Sequence, residues 1–458
     1  GFGNGIGDQA SDGTSTVQAV CTIEAITGNI GIAGGANKGA TLPPSLIKTN
    51  PFERLSDRQI ETDEDRANGW SAGASKLVAP EIPRWFQGPH SWHCGLTSAY
   101  FKGIYSVLTE DPYPIRVLQG QSTNPLSATR QPKIVEEALK KIDFYFVVDT
   151  SWNSSCAYAD VVVPALTTYE TSDQFAVKNK ATGTFIGINQ QIIEPIGEGV
   201  SDWRFFCDLG VKMGYGDDFW GGDFDQCLRD QLEPSGITLE ELREKGYIFV
   251  ERTDGATPTP PKYQDYANMF KTLPNNKVQC YNEYIGGKPD TLDKGTCPYL
   301  PEYRGPVESL TNTPELAEEY PIIFSDVHAY RLCNHSYYQD LPWCRELQPY
   351  PWAKINPATA KKYGIENGDW MKIESPHGWI KLTAEYFEGI APDVIMAKRG
   401  WWQSCEELGL EGYGFGDGGS EANNLYDATP ENFDPFTSSM GKQTLVKISK
   451  FEEGDGNE

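Results

Sequence analysis

The chain has 458 residues, with 39 Lys and Arg against 64 Asp and Glu, a formal net charge of −25; at ~150 residues per domain the length predicts about two to four domains. A hydrophobic fraction of 39% and a charged fraction of 22% exclude a disordered chain, a collagen and a disulfide miniprotein, and the absence of any run of about 18 apolar residues excludes a multi-span membrane protein. The acidity argues against general nucleic-acid binding and against adsorption to an anionic membrane; it is what solubility alone requires.

A glycine-rich turn opens the sequence at 1–7. From Val17 to Ile26, apolar Val17, Val20, Cys21 and Ala25 fall in helical register. The pattern stops at Thr27-Gly28-Asn29, where Gly28 can take a left-handed cap. Four glycines in TGNIGIAGG (27–35) then predict a tightly folded loop. Residues 41–95 are mixed and rich in Pro, Trp and charge. IRVLQG (115–120) is a short apolar strand ending at Gln119-Gly120, and the polar loop QSTNPLSATR (121–130) follows. Next comes an amphipathic helix over 132–141, with Ile134, Val135 and Ala138 on one face. FYFVVDT (144–150) is a continuous apolar strand of the parallel-sheet kind, ending at Asp149-Thr150. The loop SWNSSCAYAD (151–160) leads to a further buried strand, VVVPAL (161–166). This rhythm predicts a doubly wound α/β sheet, in which ligands sit at the carboxyl ends of strands. The polar loops after Gly120 and Asp149 fall there.

A helix capped by Asp202 is expected over 202–214. The turn-rich stretch 215–315 reads as an irregular connection. PIIF (321–324) starts another unit, and from residue 350 the pattern becomes short β segments: WAKINP, a helix ATAKKYG, the turn ENGD (366–369), WMKIES, the turn PHGW, and IKLTAEYF. Asn367-Gly368 and His377-Gly378 predict hairpin turns. The fold class is thus α/β plus β. Residues 1–40 are the tail of a preceding α/β domain, 41–215 a Rossmann-like α/β cofactor-binding domain, 216–319 an irregular connecting region and 320–458 a β-barrel domain. No tandem repeat is visible.

Ten cysteines are scattered, the closest pair being Cys333 and Cys344, and no C-x-x-C occurs. A cysteine-ligated zinc or iron–sulfur site needs ligands converging from a tight loop, so the pattern reads as buried free thiols, with a few long-range disulfides as the other option. His90 and His93 (HSWH) are a metal pair by spacing, or an aromatic cluster with Trp92. No G-x-S-x-G, H-E-x-x-H or P-loop motif is present. The 119–130 loop suits a nucleotide held by backbone donors and side-chain amides, and Asp149 could accept from a purine amino group or a ribose; ordinary loop polarity fits both equally. RLCNHS (331–336), KRGWWQ (398–403) and NNLYD (423–427) together suggest a polar cleft for a large heteroatom-rich ligand.

The order of these segments resembles the molybdopterin oxidoreductases of the dimethyl-sulfoxide-reductase superfamily. ITGNIGIAGG, GQSTNPLSATR, VVDTSWNSSCAYADVVVPALTTYE, LEPSGITLEELREKG, NNKVQCYNE, PEYRGPVES and INPATAKKYGIENGDWMKIESPHGWIKLTAE carry the likeness over nearly the full chain. RGWWQ…NNLYDATPENFDPFTSSMG is most similar to the branch of acetylene hydratase and the catechol and other aromatic dehydroxylases. The resemblance implies a bis-(molybdopterin guanine dinucleotide) cofactor with molybdenum or tungsten, two Rossmann-like domains that each grip one dinucleotide, and a barrel of the double-psi type. It implies cofactor contacts at Gly120, Ser122, Thr123, Asn124, Asp149, Thr150, Asp160, Arg331, His335, Ser336 and Asn424. Ser122, Thr123 and Asn124 would line a guanosine diphosphate arm and Asp149 would bind guanine. Arg331, His335 and Ser336 would approach the pterins, and Asn424 would contact the cofactor again. Neutral donors, an Arg and a carboxylate suit phosphate, pterin and guanine edges.

The family's cysteine-rich segment for a [4Fe-4S] cluster and the segment carrying the protein ligand to the metal have no counterpart here, so the resemblance implies the C-terminal part of a larger enzyme. Reductive dehydroxylation, hydration or oxygen-atom transfer on a small organic substrate is the implied reaction, with an iron–sulfur electron-transfer subunit as partner if it is redox. Trp401 and Trp402 face the substrate on this reading, or pack the barrel. A catalytically silent subunit of the same fold and a carbohydrate-binding protein are the competing readings.

Overall fold

The structure is a computed structural model and describes residues 12–35, 46–48, 100–110, 114–180, 183–251, 264–271, 274–281, 299–303, 305–327, 336–429 and 441–452. Three sheets organise them, each with its own core.

Helix α1 (Gly13–Ile26) begins four residues before the apolar repeat, and Gly28 follows it with φ +70°. Helix α2 (Tyr100–Thr109) precedes the first sheet, which consists of β1 (Val117–Gln121), β2 (Phe144–Asp149) and β3 (Val161–Pro164), all parallel. Between β1 and β2 lie the short α3 (Pro125–Ala128) and α4 (Pro132–Lys141). Pro132 at the first turn of α4 forfeits no intrahelical hydrogen bond, and Lys140 and Lys141 sit at the negative end of the helix dipole. Its apolar face, Val135, Ala138 and Leu139, packs on Tyr145 and Val147 of β2 and on Ile104 of α2. Each fully buried aliphatic side chain of this kind contributes about 1.5–3 kcal/mol.

The second sheet is antiparallel: β4 (Phe175–Lys180), β5 (Gly183–Ile188) and β6 (Tyr247–Glu251). Helix α5 (Asp202–Gly210), helix α6 (Phe224–Leu232) and helix α7 (Leu239–Lys245) cover it, placing Cys207, Leu228, Leu232, Leu239 and Leu242 against Ile186. Two expectations are corrected. The N-cap of α5 is Ser201, and Asp202 stands inside the first turn, where it accepts a bond from Gln121 Nε2 at 3.0 Å. The helix stops at Gly210; a π-helical turn spans Val211–Tyr215, with Gly214 at φ +91°. The stretch 215–315, expected to be irregular, contains α6, α7 and β6. Thr238 caps α7 through Glu241 N, and β6 alternates exposed and half-buried residues because it forms the sheet's edge.

The third sheet is a closed barrel of β7 (Ile322–Val327), β8 (Trp352–Ile355), β9 (Trp370–Ser375), β10 (Gly378–Tyr386), β11 (Val394–Lys398) and β12 (Thr444–Lys450), in the order β10-β8-β11-β7-β12-β9. β10/β8 and β11/β7 are parallel pairs, and the others are antiparallel. Alternate residues of β7, β9 and β10 point inward, so Phe324, Ile373, Ile380, Leu382 and Ile395 fill the interior with Leu425 and Tyr426. The hairpin β9–β10 turns at Pro376-His377, with Ser375 opposite Gly378. Asn367-Gly368 is not a hairpin turn: it joins helix α8 (Pro357–Lys362) to β9, and Gly368 donates to Ala384 O.

Among the described residues no helix is long and apolar enough to cross a membrane. Cys156, Cys207, Cys227, Cys344 and Cys405 are buried free thiols, whereas Cys21 is exposed and Cys280 half-buried.

Candidate functional site

The first sheet delivers its β1 loop to the barrel. A cavity of about 170 Å³ opens there, lined by Ser122, Thr123, Asn124, Ser127 and Ala128 from the β1 side and by Ser336, Tyr337, Arg399 and Gly400 from the barrel side. At Gly120 a Cβ would lie 2.9 Å from the hydroxyl of buried Tyr145, so only glycine lets β1 reach this point without displacing that ring. Ser122 turns the chain with φ +48°.

Asn124 ties the two walls together. Its Oδ1 accepts from Ser154 Oγ at 2.7 Å and Ser155 Oγ at 2.8 Å, and its Nδ2 donates to Ser336 Oγ at 2.9 Å. Asp149, at the end of β2, is buried; its carboxylate accepts from Asn153 Nδ2 and Tyr337 OH, both at 2.9 Å, and from Ser151 N at 3.2 Å. Burial, reinforced by the Asp149 charge, pushes the Tyr337 phenol well above its ordinary pKa. Thr150 is exposed beside Asp149.

Ser122, Thr123, Asn124 and Ser336 are thus brought together, with Gly120, Asp149 and Thr150 adjoining. Asp160 is not. It precedes β3 at the opposite end of the sheet, where its exposed carboxylate accepts from Tyr145 N at 2.8 Å, because parallel pairing sends the amino ends of β2 and β3 away from the cavity. Asn424 does not line the cavity either. It is fully buried, donating to Asp417 Oδ1 at 3.0 Å and Trp379 O at 3.3 Å, and its own buried Oδ1 has no hydrogen-bond partner among the described residues. Arg331 and His335 lie outside the described residues, as do His90, Trp92 and His93. Trp401 is completely buried, with the Arg345 guanidinium 5.1 Å and the Lys398 ammonium 4.7 Å from its ring. Trp402 is half-buried and donates to Ser336 O at 2.9 Å.

Behind the cavity stands a charge cluster, of which the sequence reading marked Arg130, in the 119–130 loop, and Arg399, in KRGWWQ, and missed Asp326, Lys442 and Glu421. Asp326 of β7 meets Arg130 at 3.2 Å, and Arg399 and Lys442 at 3.5 Å each. Tyr426 OH also donates to it at 2.8 Å. Burial alone would raise this carboxyl, but Arg130, Lys442 and Arg399 together hold it down to about 2. Arg130 further donates to Asn423 Oδ1 at 2.7 Å and to Gly441 O at 2.8 Å, and lies 3.5 Å over the Tyr426 ring. Glu421 is also fully buried, accepting from Ser127 Oγ at 2.9 Å, Gly400 N at 3.0 Å and Asn423 N at 3.1 Å. Desolvation raises its carboxyl to about 7, despite those donors. A further signal in the sequence was Asp326, a lone charge inside the apolar strand IIFSDV. Nothing local marks Glu421 or Lys442.

This donor set suits an anionic, heteroatom-rich group. Three cations face one permanently charged carboxylate, hydroxyls of Ser122, Thr123 and Ser336 line the cavity, and Arg399 edges it. The residues present therefore fit a phosphate-bearing pterin nucleotide.

Comparison with known proteins gives the same frame. The family model described as Molybdopterin oxidoreductase matches residues 2–212, and that of the Molydopterin dinucleotide binding domain matches residues 323–441. The chain is 26% identical over 497 residues to dopamine dehydroxylase of Eggerthella lenta, covering 93% of this chain and 46% of that protein. It is 25% identical over 421 residues to acetylene hydratase of Syntrophotalea acetylenica, covering 88% of this chain and 54% of the other. The solved structure of acetylene hydratase from Pelobacter acetylenicus superposes with a TM-score of 0.69 at 21% identity, over 96% of this chain and 59% of that one, which establishes likeness of fold. The chain spans about half the length of the curated relatives it matches. With the α/β region and the barrel each matched by its own family model, the chain belongs to the molybdopterin oxidoreductases of the dimethyl-sulfoxide-reductase family.

Proposed function

We propose that the chain forms the dinucleotide-gripping part of a molybdenum or tungsten enzyme carrying bis-(molybdopterin guanine dinucleotide). The reaction is reductive dehydroxylation, hydration or oxygen-atom transfer on a small organic substrate. The carrying observation is the cavity between the β1 loop and the barrel, walled by hydroxyls and backed by three cations against one low-pKa carboxylate. Ser122 and Thr123 offer hydroxyl donors, and Arg399 offers a guanidinium fork suited to phosphate oxygens, while the Ser127 hydroxyl donates to Glu421. Asn124 and Ser336 hold the two walls in register. When bound, the cofactor supplies oxygen or hydroxyl transfer and electron storage at its metal. A [4Fe-4S] cluster and the metal's protein ligand belong to the enzyme beyond the matched segments, and an iron–sulfur electron-transfer subunit serves a redox version of the reaction.

The test is the metal and pterin content of the protein purified from its native host. Molybdenum or tungsten with guanine dinucleotide is expected, and Arg399→Ala should lower cofactor retention at least tenfold. One observation favours a second reading, a cofactor-free structural subunit: Asn124 and Asp149 already have protein partners for their polar atoms. Absence of both metal and pterin from the native protein would overturn the first reading and leave the second.

A further inference from the structure

Glu421 is the least expected charge in the molecule. Its carboxylate is 0% exposed and touches two lining residues of the cavity directly: Oε2 accepts from Ser127 Oγ at 2.9 Å and from Gly400 N at 3.0 Å. Its remaining described partner is Asn423 N, at 3.1 Å from Oε1. All three donors are neutral, and among the described residues Glu421 forms no ion pair. The cations are committed elsewhere. Arg130, Arg399 and Lys442 all reach Asp326, and the Lys398 ammonium lies over the Trp401 ring. From β7, Asp326 repels a charge on Glu421; from the loop after β11, Arg399 attracts one.

Two arrangements of charge therefore exist behind the cavity. With Glu421 ionised, two carboxylates oppose three cations. With Glu421 protonated, only Asp326 does. An anion seated between Ser127 and Arg399-Gly400 meets the first arrangement as repulsion from a charge one hydrogen bond behind its own donors. It meets the second as a wall one charge more cationic, with that repulsion removed. The ionised carboxylate also draws the Ser127 hydroxyl and the Gly400 amide backwards, whereas protonation frees the hydroxyl to turn into the cavity.

We propose that this cavity takes up its anionic ligand together with one proton, held on the buried carboxyl of Glu421. The proton comes from solvent and is returned when the anion leaves, so anion affinity and proton affinity rise together by the same factor. The position of the carboxyl, raised to about 7 by desolvation, puts the exchange near neutrality. The proposal rests on the reading of the cavity as an anion cradle and adds its regulation by pH.

The probe is inorganic sulfate, whose charge is fixed over this range, titrated into the full chain at constant ionic strength from pH 5.5 to 8.5. The expected affinity is flat on the acid side and falls towards tenfold per pH unit above neutrality, the limit for one linked proton. Glu421→Gln should hold affinity constant over the whole range. Ser127→Ala removes a donor that stabilises the ionised carboxylate, so it should move the midpoint of the pH dependence upward. That shift decides the matter if Glu421→Gln fails to fold. Saturable sulfate binding that ignores pH, or a midpoint unmoved in Ser127→Ala, overturns the proton coupling and leaves the anion cradle standing. No saturable sulfate binding at any pH overturns both.

Discussion

Asp326 and Glu421 are buried carboxyls in one structure with opposite fates, and their partners decide which. Asp326 has three cations and a tyrosine hydroxyl; Glu421 has only neutral donors. Removing the charge of Asp326 takes its carboxylate away from buried Arg130 and from half-buried Arg399 and Lys442. Asp326→Asn should therefore cost about 3–5 kcal/mol in urea unfolding, the usual penalty for breaking a buried pair from one side. The pH signs also differ. The Asp326 carboxyl sits at about 2, below its ordinary 3.8, so its contribution is complete above pH 3.8 and is lost as pH falls through about 2. The Glu421 carboxyl sits at about 7, above its ordinary 4.5. The folded state is thereby penalised progressively as pH rises from about 4.5 to about 7. Relative to Glu421→Gln, the parent chain should lose thermal stability across that window, and the gap in Tm should stop growing above it. A constant gap from pH 4 to 8 would contradict the buried-carboxyl assignment.

At the scale of elements, the glycine loop 412–420 is the part most exposed to a single methyl group. A Cβ on Gly419 would stand 1.9 Å from Gly414 O and 3.0 Å from Gly416 O. Gly419→Ala must shift backbone, at a cost of about 1–3 kcal/mol. Since Gly419 O accepts from Lys381 N, hydrogen exchange at the Lys381 amide should accelerate while exchange at Ile373 in the barrel core stays slow. The sequence disclosed elements wherever one physical signal dominated. The apolar run of β2, the amphipathic period of α4 and the alternation of β9 and β10 were legible, because burial on two faces, a helical repeat and a period of two each leave a direct trace. β3 was expected to be buried, but as the edge strand of its sheet it leaves Val161 and Pro164 exposed and Val162 and Val163 half-buried. The antiparallel sheet was not legible. β6 is an edge strand with Tyr247 and Phe249 exposed, and its partner β5 is more than fifty residues earlier in the chain, so no local pattern announces the pairing. The cavity was half legible. Its loop Ser122-Thr123-Asn124 stood at a strand end, where ligands gather. Tyr337, Glu421 and Lys442 reach the site only through tertiary folding, and Asp160 seemed to belong because nearness in sequence conceals which end of a strand a residue occupies.

At the scale of the molecule, Arg130 is the principal rivet between the first sheet and the barrel. Its guanidinium joins Asp326 of β7, Asn423 and Gly441 O, while the neighbouring Gln131 donates to Asn424 O and Tyr426 O. Arg130→Ala should leave the barrel folded and uncouple it from the sheet: one cooperative thermal transition should become two, with the lower belonging to the α/β part. An unchanged single transition would place the coupling elsewhere.

The order of strands in the barrel also sets when the protein can finish folding. β12 is clasped between β7 and β9, so the ring stays open until Thr444–Lys450 is available, more than a hundred residues after β7 is made. During synthesis β7 and β9 must wait with bare hydrogen-bonding edges, and such edges recruit other chains. The two parallel pairs add long loop closures to the same step, which slows it further. Thr444–Lys450 is therefore the keystone of the barrel. The interval before it arrives is when this acidic, self-repelling chain gains most from its net charge of −25.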